Sequence, residues 1–374
     1  MRALFAQPAA ACPTRGWRVT ALELGPGGLA TAQLCWLLAC QNAADLADRP
    51  GEPPVSPAEL RVLLVPPYRG RRVLFAATDE AGGVGGWAWL GVYEAFHREV
   101  AHAAIVVHPS ARRCGVGSAL LDALADAART WHRSRLMLDA PRTRASENFA
   151  ARHGMYVASR DLRSRLDLRG PLSRERTAAI VHSAQAVGRS GSHRRHALPP
   201  RHDGFVPLHW KSHCPDDFLP GYIRALDGLH TVPAAAMAAS ATGAPAPDPA
   251  AAQFSPFTPA EVRHREQAAL RAGLREYTAC LIDRATGCIA ALSSAHTADG
   301  LRGEQNETVV VPEYRGLGLA LRVKAQLIGE LLKAEPSLTM LDTYNAVDNH
   351  RMLAVNRRLG FQPIATHAAW TLTL

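Results

Sequence analysis

One short pattern occurs twice in the chain, and it constrains what each half can fold into. The first copy reads Ile105-Val106-Val107-His108-Pro109-Ser110-Ala111-Arg112-Arg113-Cys114-Gly115-Val116-Gly117-Ser118. The second reads Val309-Val310-Val311-Pro312-Glu313-Tyr314-Arg315-Gly316-Leu317-Gly318-Leu319-Ala320. Each is an apolar strand, a Pro-opened turn, and R-x-x-G-x-[G/A] running into a helix. Successive N–H groups at a helix start lack internal partners and carry the positive end of the helix dipole, so they form an anion site. Glycines let phosphate oxygens approach the backbone, and Arg112 or Arg315 can add a charge-assisted hydrogen bond. No G-K-[ST] follows, so the turn is not a Walker loop, and it is not the G-x-G-x-x-G of a dinucleotide fold.

The two arginines stand 203 residues apart (315 − 112), which marks a duplicated domain rather than a short-period repeat. The flanking order also repeats. In the first half, Arg18 to Leu24 reads as a strand, followed by a helix. Ser56 caps a helix over 57–64, and Arg72 to Thr78 with Gly85 to Tyr93 forms a hairpin. Ala103 to Val107 is a buried strand, Val116 to about Arg129 a helix, Arg135 to Asp139 a strand and Glu147 to His153 a helix. In the second half, strands at Tyr277 to Asp283, Ile289 to Ser293 and Thr308 to Val311 precede a helix over 319–334, a strand over 338–343 and a helix over 349–359. Arg174 to Arg201 is polar, basic and turn-rich, which places the boundary before it and gives domains 1–172 and 173–374. Thr231 to Gln253, rich in Ala and Pro, reads as a mobile loop.

At 374 residues with 47% apolar content, each half can bury a core. The net charge of +9 comes from arginine scattered along the chain, beside only three lysines, so no nucleic-acid partner is expected. No stretch suits a membrane span or a leader, so a cytoplasmic protein without a membrane partner is expected. Seven cysteines (12, 35, 40, 114, 214, 280 and 288) contain no C-x-x-C pair and read as reduced, mostly buried thiols. His193, His196, His202, His213 and Cys214 crowd one region without compact metal-ligand spacing, so no metal is expected. Cys114, inside the first turn, reads as a bystander.

The two turns resemble those of the GNAT superfamily of N-acetyltransferases. The resemblance extends downstream, where that family carries an Asn-led helix ending in Gly-Phe. The second half has Asp342-Thr343-Tyr344-Asn345-Ala346 and then Asn349 through Asn356 to Gly360-Phe361; the first has Glu147-Asn148-Phe149 to Gly154-Met155. The double architecture is similar to that of mycothiol synthase and related tandem acetyltransferases. It implies an α+β fold of two tandem domains, each a mixed, mostly antiparallel sheet with splayed fourth and fifth strands flanked by helices. It also implies acetyl-CoA as cofactor. The residues that match its binding motif are Val106, Val107, Arg112, Arg113, Cys114, Gly115, Val116, Gly117 and Ser118 in the first copy. In the second they are Val309, Val310, Val311, Arg315, Gly316, Leu317, Gly318, Leu319 and Ala320, with Asn345, Asn349 and Asn356.

Amine acetylation needs a base to free the nucleophile. In many family members this is a Glu or His eleven residues before the turn's Arg or Gln. That position is Glu304 in the second copy, with Glu307 nearby. Glu304 reads equally as a base or as a solvated residue in the polar stretch Arg302 to Glu307. In the first copy it is Ala101, with His102 and Glu99 off by one or two places. The family's general-acid tyrosine falls at Asn356 and Ala150, so both copies depart from the pattern, and Tyr344 is the nearest substitute. These features predict N-acetyl transfer to a small-molecule amine by direct attack, with the second half catalytic and the chain a monomer (an internal pseudo-dimer) or a homodimer. The alternative is a non-catalytic module that binds CoA or a small molecule.

Overall fold

The computed structural model describes residues 16–22, 29–64, 66, 70–93, 98–186, 204–230 and 258–374. The expected loop over 231–253, Cys12, and His193, His196 and His202 lie outside them. The described residues form two compact units. Unit 1 runs to Ser159 and takes in His367–Leu374; unit 2 lies between, from Arg160 to Thr366. The sequence pattern instead divides the chain once, at 172/173.

In unit 1, β1 (Arg18–Leu22), β2 (Gly70–Thr78), β3 (Val84–Tyr93) and β4 (Val100–Val107) pair antiparallel in sequence order. The fifth strand, β5 (Arg135–Pro141), runs parallel to β4 and pairs with it only from Val100↔Arg135 to Ala103↔Leu138. Beyond Ala103 the strands separate. The far edge of β5 is closed by the chain's last residues, with His367 to Thr373 pairing antiparallel along it. Helices α1 (Thr31–Asp48) and α2 (Pro57–Leu64) cover one face, where Leu37, Leu60, Leu74 and Trp87 are fully buried. On the other face α3 (Val116–Thr130) buries Leu120, Leu121 and Leu124 at helical spacing. The short α4 (Arg144–Arg152) follows β5.

Unit 2 repeats this plan. β6 (Tyr156–Asp167), from Arg160 onward, supplies one edge. It pairs antiparallel with β11 (Met340–Ala346), and then β10 (Arg302–Val310), β9 (Ile289–Thr297), β8 (Arg275–Asp283) and β7 (Phe205–Lys211) follow in space. The parallel pair β10–β11 runs only from Arg302↔Met340 to Gln305↔Thr343 and then opens. α5 (Pro171–Ala186) and α8 (Leu319–Ala334) pack on one face, with α9 (His350–Arg358) after β11. α6 (Leu219–His230) and α7 (Pro259–Arg271) pack together at the other, where Thr258 and Glu261 cap α7 reciprocally. The last strand, β12, spans Gln362–Thr373.

Two expectations need correction. Arg174 to Ala186 is not turn-rich but most of α5, which buries Thr177, Val181 and Ala184 at three- and four-residue spacing against α8. Arg174 donates to the carbonyls of Leu338 and Leu332. The thiols are not mostly buried: among the described cysteines, Cys40, Cys214 and Cys280 are buried, Cys114 and Cys288 partly so, and Cys35 is exposed.

Candidate functional site

Both turns have the same backbone. A 3-10 turn spans Pro109–Ala111 in unit 1 and Pro312–Tyr314 in unit 2. Arg112 follows at φ −69°, ψ 150°, and Arg315 at φ −67°, ψ 152°. Residues 113 and 316 then adopt positive φ, as do Gly115 and Gly318, the N-caps of α3 and α8. Both caps are glycines and so offer no side-chain hydrogen bond to these helix starts. A Cβ built on Gly115, Gly316 or Gly318 would meet nothing within 4 Å. The space over each turn is open, as a diphosphate requires. Val116 and Leu319 turn their side chains into the cores and offer only backbone N–H groups.

The arginines serve the turn itself. Arg112 Nε donates to the Val107 carbonyl and Arg315 Nε to the Val310 carbonyl, each at 3.4 Å. The rest of the Arg112 guanidinium is taken by Asp48 of α1, at 2.6 and 2.9 Å. That ion pair ties the turn to α1. The Cys114 carbonyl accepts from Trp17 Nε1, and Ser118 Oγ meets His153 Nε2 at 3.1 Å.

The gap between β10 and β11 leaves one edge of β10 without a neighbouring strand past Gln305, so its backbone is free to pair with an extended chain such as a pantetheine arm. Asn345 and Asn356 border this gap but bond each other, with Asn356 Nδ2 donating to Asn345 Oδ1 at 2.6 Å. Asn349 caps α9 by accepting from the Met352 N–H. Val309 is buried beneath α6. Tyr344, half exposed, has the Arg163 guanidinium 5.9 Å from its ring centre.

Register explains the first copy's displaced base. β10 carries a bulge between Gln305 and Thr308 against β9, whereas β4 pairs with β3 without one. The second copy therefore has one extra residue between the strand start and the turn. Matching the two four-residue parallel ladders puts His102 level with Glu304, not Ala101. Counting back from the arginine could not see this.

The same register exposes a difference between the clefts on the α1–α2 and α6–α7 faces. Glu304 faces His296 and then Glu276; His102 faces Gly91 and then Arg72. Glu276 and Arg72 thus hold one place with opposite charge. In unit 1 the guanidinium of Arg72 lies over Trp89, and burial lowers its pKa to about 10, which leaves it charged at neutral pH. In unit 2 the cleft is a crevice of about 30 Å³, lined by residues including Tyr222, Arg265, Glu276, Ser294 and Asn306. Glu307, at the bulge, accepts from Ser294 Oγ at 2.7 Å and from Arg265 at 3.4 Å. Burial works to raise its pKa, but Arg265 and Ser294 outweigh it and hold the carboxyl below its ordinary range. Burial raises the Glu276 carboxyl instead. Sequence reasoning missed Glu276 and Arg265, which lie far from the turn and belong to no motif. Among the described residues no cluster of three or more potential metal ligands occurs.

Residues 43–155 match the acetyltransferase (GNAT) family. The first half carries a GNAT domain. Over its described residues the chain has the tandem GNAT fold. A tandem GNAT protein from the clavulanic acid biosynthesis pathway, solved without AcCoA, superposes with a TM-score of 0.72 at 22% identity, over 96% of this chain and 98% of that one. A GCN5-related N-acetyltransferase from Sphaerobacter thermophilus gives 0.61 at 13% identity, over 95% of each chain. The likeness is to tandem GNAT architecture in general. No curated protein sequence matches significantly. No helix among the described residues is long and apolar enough to cross a membrane.

Proposed function

We propose that the chain is an acetyl-CoA-dependent N-acetyltransferase that acetylates a small amine in unit 2. The observation that carries this reading is the charge reversal at one register position. Unit 2 places Glu276 where unit 1 places a half-buried Arg72. An ammonium acceptor is attracted to a cleft in which Glu276 and Glu307 outnumber Arg265, and repelled by the guanidinium of Arg72. Unit 1 then serves as a framework with its own phosphate turn. A division of labour between the halves, 1–172 and 173–374, fits this reading.

The open turns suit a diphosphate, with backbone N–H groups at 116–118 and 319–320 holding it. When bound, acetyl-CoA supplies the activated acetyl group. Glu307 and Glu276 hold the ammonium form of the acceptor. Glu304, exposed and next to the last paired residue of β10, takes the proton that frees the amine, through water where needed.

Two substitutions separate these roles. Glu304→Gln should lower kcat by about 100-fold or more while acetyl-CoA affinity holds. Glu276→Arg, which installs the unit 1 residue, should raise the acceptor KM by roughly tenfold or more at similar kcat. Calorimetric titration without acetyl-CoA binding at either turn would rule the reading out. Unchanged turnover in Glu304→Gln would move the base elsewhere.

A further inference from the structure

Three polar residues of unit 2 stand where unit 1 is apolar in all three places. Lys324 is the sixth residue of α8, and the sixth residue of α3 is Leu121. Asn356 is the seventh of α9, and the seventh of α4 is Ala150. Asn345 is the sixth of β11, and the sixth of β5 is Ala140. The fold therefore tolerates small or aliphatic side chains at each place, and the trio in unit 2 is not required by the architecture.

The trio is connected. Lys324 Nζ donates to Asn356 Oδ1 at 2.6 Å, and Asn356 Nδ2 donates to Asn345 Oδ1 at 2.6 Å. Lys324 and Asn356 are each 1% exposed. Around the ammonium, α9 also presents Met352, with its sulfur 4.0 Å away, and the Phe361 ring lies 5.5 Å off. Burial lowers the Lys324 pKa to about 7, and no neighbouring charge offsets it. A buried cation without a carboxylate is costly, and such groups are retained where charge develops nearby. Both amides are oriented donor-outward from Lys324, which leaves Asn345, beside the β10–β11 gap, with its own Nδ2 donors. Asn356 also occupies the place where the resembled family carries its tyrosine acid.

We infer that Lys324, acting through Asn356 and Asn345, is a positioning residue that stabilises the thiolate released from coenzyme A in unit 2. The inference rests on unit 2 being the transferring half. Glu304 takes the ammonium's first proton and passes it to water; as the acceptor nitrogen then bonds to the acetyl carbon, the carbon–sulfur bond breaks, its electron pair leaves on sulfur, and the nitrogen's second proton goes to Glu304. No proton need reach sulfur while the cation is in place, so the tyrosine is dispensable.

The test uses the full chain with free CoA, in a Gly115→Asp background in which the added carboxylate repels phosphate from the unit 1 turn. The ionisation of the bound thiol is followed by ultraviolet thiolate absorbance across pH, with desulfo-CoA as blank. The acid constant of the bound thiol should be at least about tenfold larger than in Lys324→Met. Lys324→Arg, which keeps the cation, should retain most of that shift. Leu121 at the matching place in unit 1 makes an apolar side chain there compatible with folding, and circular dichroism of both variants checks this. Equal thiol ionisation in the parent and Lys324→Met, with CoA still bound, overturns the inference and leaves the function standing. Failure of CoA to bind the parent overturns both.

Discussion

Arg113 and Gly316 hold the same place in the two turns, and both backbones adopt positive φ, +65° and +83°. Only glycine takes that conformation without steric cost, so unit 1 carries strain of about 1–2 kcal/mol that unit 2 avoids. Arg113→Gly should stabilise unit 1 by about 1 kcal/mol, seen as a Tm rise of roughly 2–4 °C in calorimetry. A lower Tm would mean that the Arg113 side chain contributes more than its backbone costs. Asp342 is a second case in which one residue decides much. It is 6% exposed and accepts from both Arg163 and Arg165 at 2.6 to 3.1 Å. Burial raises its pKa, but the two guanidiniums more than compensate and hold it low. A carboxyl depressed in the folded state contributes stability above its unfolded pKa and loses it as pH falls through the folded value. Asp342→Asn should therefore cost about 3–5 kcal/mol at neutral pH. It should also flatten the acid limb of a stability–pH curve below about pH 4. An unchanged acid limb would assign that limb to other carboxylates.

At the scale of elements, the start of α3 shows how a motif residue answers to packing. A Cβ on Gly117 would come within 3.0 Å of the Phe149 ring of α4. The residue of unit 2 that matches Gly117 is Ala320, and the one that matches Phe149 is the smaller Val355. Gly117→Ala should cost about 1–2 kcal/mol by overpacking, and Phe149→Val in the same chain should recover part of it. Chemical denaturation of the two single variants and the double variant measures the coupling, and simple additivity would show that the ring moves aside freely. The helices and turns were the most legible elements because their signals are local. The periodic Leu spacing predicts a helix over 319–334, and α8 has those bounds. β10 was less legible. Its first six residues, Arg302 to Glu307, contain no apolar side chain, so the apolar run begins six residues late. The bulge in the same stretch shifted the count from the turn and hid His102. α5 was missed because its charges dominate its composition while its buried stripe is only Thr177, Val181 and Ala184. Of the candidate site, the phosphate turns were readable, since a turn is one contiguous segment. Glu276, Arg265 and Lys324 were not, because sheet register and helix packing bring them in.

At the scale of the whole molecule, unit 1 contains residues from both ends of the described sequence. Its sheet is completed by the C-terminal segment, where Trp370 pairs in register with Leu138 of β5 and is 5% exposed. Trp370 and Ala368 pack with Ala150, and Ala140, Met155 and Val157 lie against them. Leu372 and Leu374 join the larger core under α3. A ladder between residues more than two hundred positions apart forms only after the intervening chain has been placed, so unit 1 completes its sheet late in folding. Trp370→Ala should cost about 3–5 kcal/mol, as for other large-to-small core substitutions. The loss should fall on unit 1 although the mutated residue lies at the far end of the sequence. Hydrogen exchange followed by mass spectrometry can locate it. Peptides from β5 should exchange faster, while peptides from β10 and β11 keep their protection, because their own pairings involve neither Trp370 nor its neighbours. Faster exchange confined to β12, with β5 unchanged, would show that β5 does not depend on this strand for its stability.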